Sequence, residues 1–223
     1  MRRALAQWML AAAIPLATVS VSTASTLGLD VTSNTVVALP GEYDNAGWQF
    51  QVNAPVTVDG LGFFDVNANG LGQSHQVGLW DSNGALLAQA TISSASAPIA
   101  SASAAGDWLF ESIGPIVLQP GIYVTSAYFP YFPNVTDALM LNPTVAIDPR
   151  IVMLASRLST NGKFAEPGPY GGAGAAIYGA NIRLQTPAPV PEPASLLLVG
   201  FGLTTLAARS RKMDGARRDG RVV

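Results

Sequence analysis

Gln76-Val77-Gly78-Leu79-Trp80-Asp81, then Ser82-Asn83-Gly84-Ala85, then Leu86-Leu87-Ala88-Gln89-Ala90-Thr91-Ile92 is the stretch that decides the fold. Two strand-length runs flank an Asn-Gly pair, and Asn-Gly between apolar runs is the strongest short-range signal for a β-hairpin. The same grammar continues outward. Val56 and Val58 alternate with Thr57 and Asp59, a period of two that places one face in a core. Further strands are predicted at Thr35–Leu39, Trp48–Val52, Val56–Phe64, Trp108–Glu111, Ile122–Phe129, Ile151–Leu154 and Ala176–Leu184. Gln119-Pro120-Gly121 has Pro second and Gly third, as a type II turn asks. No segment of the body sustains an i, i+3, i+4 apolar pattern. An all-β, antiparallel sandwich of jelly-roll or immunoglobulin-like type is therefore expected. Ser93–Asp107 reads as an Ala/Ser-rich loop, Phe129–Ile147 as an irregular excursion with three prolines, and Pro167–Gly172 as a flexible loop.

The two ends are of another kind. Arg2 and Arg3 precede an apolar run from Leu5 to Leu16 and then Ser22-Thr23-Ala24, the three parts of a secretory signal peptide with cleavage after Ala24. Residues 186–193 form a Pro-rich linker containing Pro191-Glu192-Pro193. An apolar segment with a basic stop, 194–212, follows, and residues 213–223 form a basic disordered tail. A helix of about 15 residues spans roughly 22 Å, short of the ~30 Å hydrocarbon core. Residues 194–212 thus suit a short sorting helix with transient membrane association rather than a lasting span. The folded domain is assigned to residues 25–185.

Val190-Pro191-Glu192-Pro193-Ala194-Ser195, the apolar run through Gly200 and Gly202, and Arg209-Ser210-Arg211-Lys212 together resemble the PEP-CTERM sorting signal of exported Gram-negative bacterial proteins. The resemblance implies recognition of Pro191, Glu192 and Pro193 by an exosortase-type membrane protease, and transient anchoring in the inner membrane. The chain departs from the family in running on to Val223. A second, looser resemblance covers residues 45–130, through Leu61-Gly62-Phe63-Phe64-Asp65, Ser74 to Trp80 and Gly84 to Ala88. These are similar to a β-domain of unknown function in exported bacterial proteins, which implies a fold and no activity.

Composition narrows the function classes. The body from 25 to 186 carries eleven carboxylates against Arg150, Arg157, Lys163 and Arg183, a net charge of −7. Nucleic acid is excluded as a partner, since its binding rests on Lys and Arg at phosphates. The chain has no cysteine and one histidine. Thiol nucleophiles, Cys-ligated zinc and multi-histidine sites are therefore absent.

Four features remain as candidate sites. Asp65, Asn67 and Asn69, with Gly70 at the sixth position, match the opening of a calcium loop, but Gln76 stands where the bidentate Glu belongs. The alternative is a polar turn using left-handed angles. His75, at a strand edge, reads as a hydrogen-bonded structural residue rather than a base. Tyr128, Phe129, Tyr131 and Phe132, in a proline-bearing loop, are candidates for stacking on sugar rings. The acidic pairs Glu42/Asp44 and Asp107/Glu111 are candidates for a glycosidase dyad. The expectation is a non-enzymatic exported protein of the cell envelope or exopolysaccharide matrix (biofilm), with no cofactor beyond the calcium candidate. The alternatives are a carbohydrate-binding module and a secreted polysaccharide hydrolase.

Overall fold

The period-two pattern at Val56–Asp59 is realised as the start of a long strand, and strands make up most of the described residues. A computed structural model of the chain describes residues 25–32, 44–130, 137, 140–141, 144–172 and 177–186. The strands are β1 (Ser25–Leu27), β2 (Leu29–Val31), β3 (Asn45–Val52), β4 (Val56–Val66) and β5 (His75–Asp81). Next come β6 (Leu86–Ile92), β7 (Ala97–Ala100), β8 (Gly106–Leu118), β9 (Gly121–Tyr128) and β10 (Met140–Leu141). The series ends with β11 (Val145–Ile147), β12 (Ile151–Ser159), β13 (Gly168–Gly172), β14 (Ile177–Tyr178) and β15 (Ala180–Gln185). They form a five-stranded sheet ordered β1-β15-β4-β8-β7 and a six-stranded sheet ordered β13-β12-β3-β9-β5-β6. Two ribbons, β10-β14 and β11-β2, complete the set among the described residues. Every pairing is antiparallel. The result is a sandwich, as the sequence pattern predicts.

Alternate residues of the two sheets supply the core. Trp48, Phe50 and Val52 of β3 and Val77 and Leu79 of β5 are buried with Leu61 and Phe63 of β4 and Ile182 and Leu184 of β15. Each such side chain contributes about 1.5–3 kcal/mol by leaving water. Trp48 also satisfies its one polar atom across the sandwich, its Nε1 donating to the Ala180 carbonyl at 2.9 Å. The opposite side of the five-stranded sheet is covered too. Asn181, which alternates with Ala180 and Ile182, accepts from Leu29 N at 3.1 Å and donates to Leu29 O at 2.6 Å. Trp108 Nε1 donates to Asp30 at 3.2 Å, so both sides of β2 are tied down.

Beneath this strap Phe110 lies across Gly62, its ring 2.6 Å from where a β-carbon would sit. Gly62→Ala is expected to cost about 1–3 kcal/mol through overpacking, read as a fall in the denaturation midpoint at unchanged slope.

The chain differs from its sequence expectation at several points, each with a physical cause. Within Ser93–Asp107, expected to be a loop, Ala97–Ala100 forms β7, and Pro98 is tolerated because β7 is an edge strand. Gly168–Gly172 is likewise an edge strand, β13, rather than a flexible loop, again with a proline, Pro169. The excursion after Phe129 contains β10 and β11. Gly121 does not adopt a positive φ, so Gln119-Pro120 is no type II turn. It is the corner at which the chain leaves β8 in one sheet for β9 in the other. The Asn83-Gly84 hairpin forms, with Gly84 at φ 80° and the Asp81 carboxylate accepting from Asn83 N and Ala85 N, each at 2.9 Å. Those two N–H groups, Ala85 foremost, hold the Asp81 carboxyl below its ordinary range. The strand expected at Thr35–Leu39, the cleavage site at Ala24 and the C-terminal sorting helix lie outside the described residues.

Both ends of the domain meet at one place. Ser25 is the cross-strand partner of Gln185. Arg150 joins them: its guanidinium donates to Gln185 O at 2.8 Å and to Thr26 Oγ1 at 3.0 Å while pairing with Asp148 at 2.8 Å. The bond from Arg150 outweighs burial and holds the Asp148 carboxyl low, and the same bond raises the Arg150 guanidinium.

Candidate functional site

The single histidine begins β5 and is fully buried. Its ring stacks on Phe63 with centroids 4.1 Å apart and planes at 9°, and it meets Phe129 at 5.0 Å. Nδ1 lies 3.0 Å from the Tyr128 carbonyl, and Nε2 lies 2.9 Å from Asp137 Oδ2. Both nitrogens face acceptors inside the fold, so neither is presented to a nucleophile or to solvent as a general base requires. Asp137 in turn accepts from Gly72 N at 2.8 Å and Gln73 N at 3.0 Å. Burial pushes the Asp137 carboxyl up, but the bonds from His75, Gly72 and Gln73 outweigh it, and the group sits below the usual carboxylate range. This node pins the segment after β9 onto the turn before β5. Nothing in the spacing of residues 62 apart announced Asp137 as the partner.

The Asp65–Gly70 turn is self-contained. Asp65 is buried and accepts from Gly70 N at 2.8 Å, while Asn67 and Ala68 adopt left-handed φ of 68° and 50°. Asn67 and Asn69 are exposed. Among the described residues no three His, Cys, Asp or Glu side chains gather to hold a metal ion. Chelation with EDTA is expected to leave the melting temperature unchanged. Ala68→Gly is expected to stabilise the turn by roughly 0.5–1 kcal/mol, since glycine adopts positive φ without a β-carbon clash. A thermal scan checks both.

The aromatic cluster is divided by the fold. Phe129 is half-buried, edge-on to Phe63 at 5.4 Å, and so belongs to the core margin. Tyr128 is half-buried, with its hydroxyl donating to Gly162 O at 3.2 Å. Tyr131 and Phe132 lie outside the described residues, as does Glu42. Asp44 accepts from Gly162 N. Asp107 and Glu111 sit four residues apart on β8, about 13 Å along a strand, farther than the roughly 5–9.5 Å of either glycosidase geometry. Glu111 accepts from Ser96 Oγ at 2.6 Å.

Tyr128, the Asp65–Gly70 turn and His75 share one end of the sandwich, where β9 finishes, β4 finishes and β5 starts. Gln185, from which the tail leaves, is at the other, beside Val56 and Leu118. Pro191, Glu192 and Pro193 lie beyond the described residues, so their assignment rests on sequence.

The comparisons agree with this division. Residues 30–165 match the family described as Domain of unknown function (DUF4082). Residues 189–212 match the PEP-CTERM protein-sorting motif. No curated protein matches the chain. The first match ends before β15, although β15 is an inner strand of the five-stranded sheet. The chain belongs to the DUF4082 family and carries the PEP-CTERM sorting motif, the signal of a protein exported and sorted by the exosortase system.

Proposed function

We propose that this is a non-enzymatic structural or interaction protein, delivered to the cell envelope or exopolysaccharide matrix once an exosortase-type protease has removed its tail. The observation that carries this reading is the placement of a PEP-CTERM motif directly after a closed β-sandwich. The engagement of both His75 nitrogens within the fold supports a role without acid-base chemistry. The acidic body suits a hydrated matrix and cation binding better than a polyanionic partner.

A carbohydrate-binding role is the second reading, favoured by the position of Tyr128 at the end of the sandwich opposite Gln185. Aromatic stacking is worth about 1 kcal/mol per ring, so matrix retention rests on many weak contacts along one polymer. Tyr131→Ala with Phe132→Ala, leaving Phe129 in its packing place, is expected to lower retention on the organism's exopolysaccharide by roughly tenfold or more. Unchanged retention in a co-sedimentation assay removes the carbohydrate reading and leaves the structural one.

A further inference from the structure

The exposed large apolar side chains are not scattered. Among the described residues they are Leu86, Leu87, Val117, Ile122, Val152 and Tyr170, between 37% and 57% exposed. The first five lie toward one end, Val152 and Ile122 on the outer face of the six-stranded sheet and Val117 on that of the five-stranded sheet. Val152 and Ile122 are both cross-strand partners of Gln51, one residue from the end of β3. Val117 is paired with Thr57 at the start of β4, and Leu86 opens β6 opposite Trp80. This is the end at which Ser25 and Gln185 stand side by side. Three of its loops, Asn53-Ala54-Pro55, Ser82-Asn83-Gly84 and Gln119-Pro120, carry no charge, and Asp148-Pro149-Arg150 carries one of each sign. A shallow open cleft lies between Gln51, Asn53, Pro120 and Ile122. The cations here, Arg150 and Arg183, are paired with Asp148 and Asp59. Asp81 caps its own turn, and Glu166 reaches that turn at Gly84.

We propose that this end docks on the phospholipid surface while the tail is still attached. The occupant follows from the chain. Gln185 leads through residues 186–193 to the apolar run Leu196–Ala208, so the domain is tethered from the end that carries these side chains. Eight residues, 186–193, separate the last strand from the apolar segment. Fully extended they reach less than about 29 Å. So short a tether presents the surface to the domain at an effective concentration on the order of millimolar. Docking with a dissociation constant near millimolar is then about half filled, yet negligible once the tail is cut. Tail removal therefore also releases the domain from the membrane. With its cations paired, the end attaches by apolar insertion, and added salt does not weaken the contact, unlike attachment by a basic patch.

The proposal rests on residues 194–212 entering the membrane, and the test separates the two. The absence of native cysteine allows single labels on the full chain. Val117→Cys, Val152→Cys, Asn69→Cys and Ser195→Cys are each coupled to an environment-sensitive fluorophore. Each is reconstituted in phosphatidylethanolamine–phosphatidylglycerol vesicles with or without nitroxide-bearing lipid. Expected is about a twofold or greater loss of emission at 117, 152 and 195, with no loss at 69, since interfacial contact reaches only the outer ~5–10 Å of the bilayer. Quenching at 195 alone means that the tail inserts while the domain stands off, and overturns the docking. A blue shift at 117 and 152 without lipid quenching identifies a protein contact, a second copy included, and also overturns it. No quenching at 195 removes the tail reading and the proposal with it.

Discussion

Asp137→Ala is expected to destabilise the domain by about 2–4 kcal/mol, since a buried donor left without its acceptor costs about 1–3 kcal/mol and three donors share this carboxylate. In a domain of this size that corresponds to a fall in melting temperature on the order of 10 °C. The size of the effect follows from the number of donors left behind. His75 Nε2, Gly72 N and Gln73 N all lose their acceptor, and the imidazole is fully buried between Phe63 and Phe129. A His75→Leu, Asp137→Leu double variant is expected to recover only part of the loss, because it removes the buried imidazole left without an acceptor while Gly72 N, Gln73 N and the Tyr128 carbonyl still lack their partners. The pH dependence has a definite sign. Asp137 is held below its ordinary range in the folded state. The stability it contributes is complete above the unfolded carboxylate value, about 3.9, and is lost as pH falls below that through its folded value. The wild-type domain should therefore lose stability more steeply than Asp137→Asn in a urea series taken from pH 5 to pH 2.5. Equal slopes would show that the pair is not formed as described.

The second large effect is expected in sorting. Replacing Pro191, Glu192 and Pro193 together by alanine should block tail removal almost completely. The product should then stay with the membrane fraction and retain residues through Val223. The domain is closed before this motif begins, with Gln185 held by Ser25 and Arg150, so the triple variant should melt like the wild type. Normal processing of the variant, seen by immunoblot with an epitope placed after Lys212, would show that these residues are not the recognition element.

Much of the sandwich was legible because parts of its strands alternate between core and surface. Leu86–Ile92 matches its predicted bounds, and Val56, Val58, Val77 and Leu79 face the core as alternation requires. The edge strands β7 and β13 were hidden by Pro98 and Pro169, residues that argue against a strand in general and are harmless on an edge. Trp80 shows another limit. It is buried, yet it lies over Gly78 against Phe164 at 5.3 Å, outside the main core, because the loop after β12 folds over that side of the sheet. A loop folding back leaves no periodic trace. The candidate sites were legible only as residue types. His75 could be singled out as the sole histidine, but its partners Asp137 and the Tyr128 carbonyl are brought to it by strand pairing and a distant excursion. The sorting motif is the opposite case. It is a linear signal read in sequence, and it needs no fold to be recognised.

The central claim is that a DUF4082 sandwich is exported and sorted through its PEP-CTERM tail. Intact-mass measurement of the protein recovered from each cell fraction tests it most directly. The predicted result is a species in the envelope or extracellular matrix fraction that begins at Ser25 and has lost the residues that follow the Pro191-Glu192-Pro193 region. A full-length species from Met1 to Val223, recovered from the cytoplasm with none exported, would contradict it.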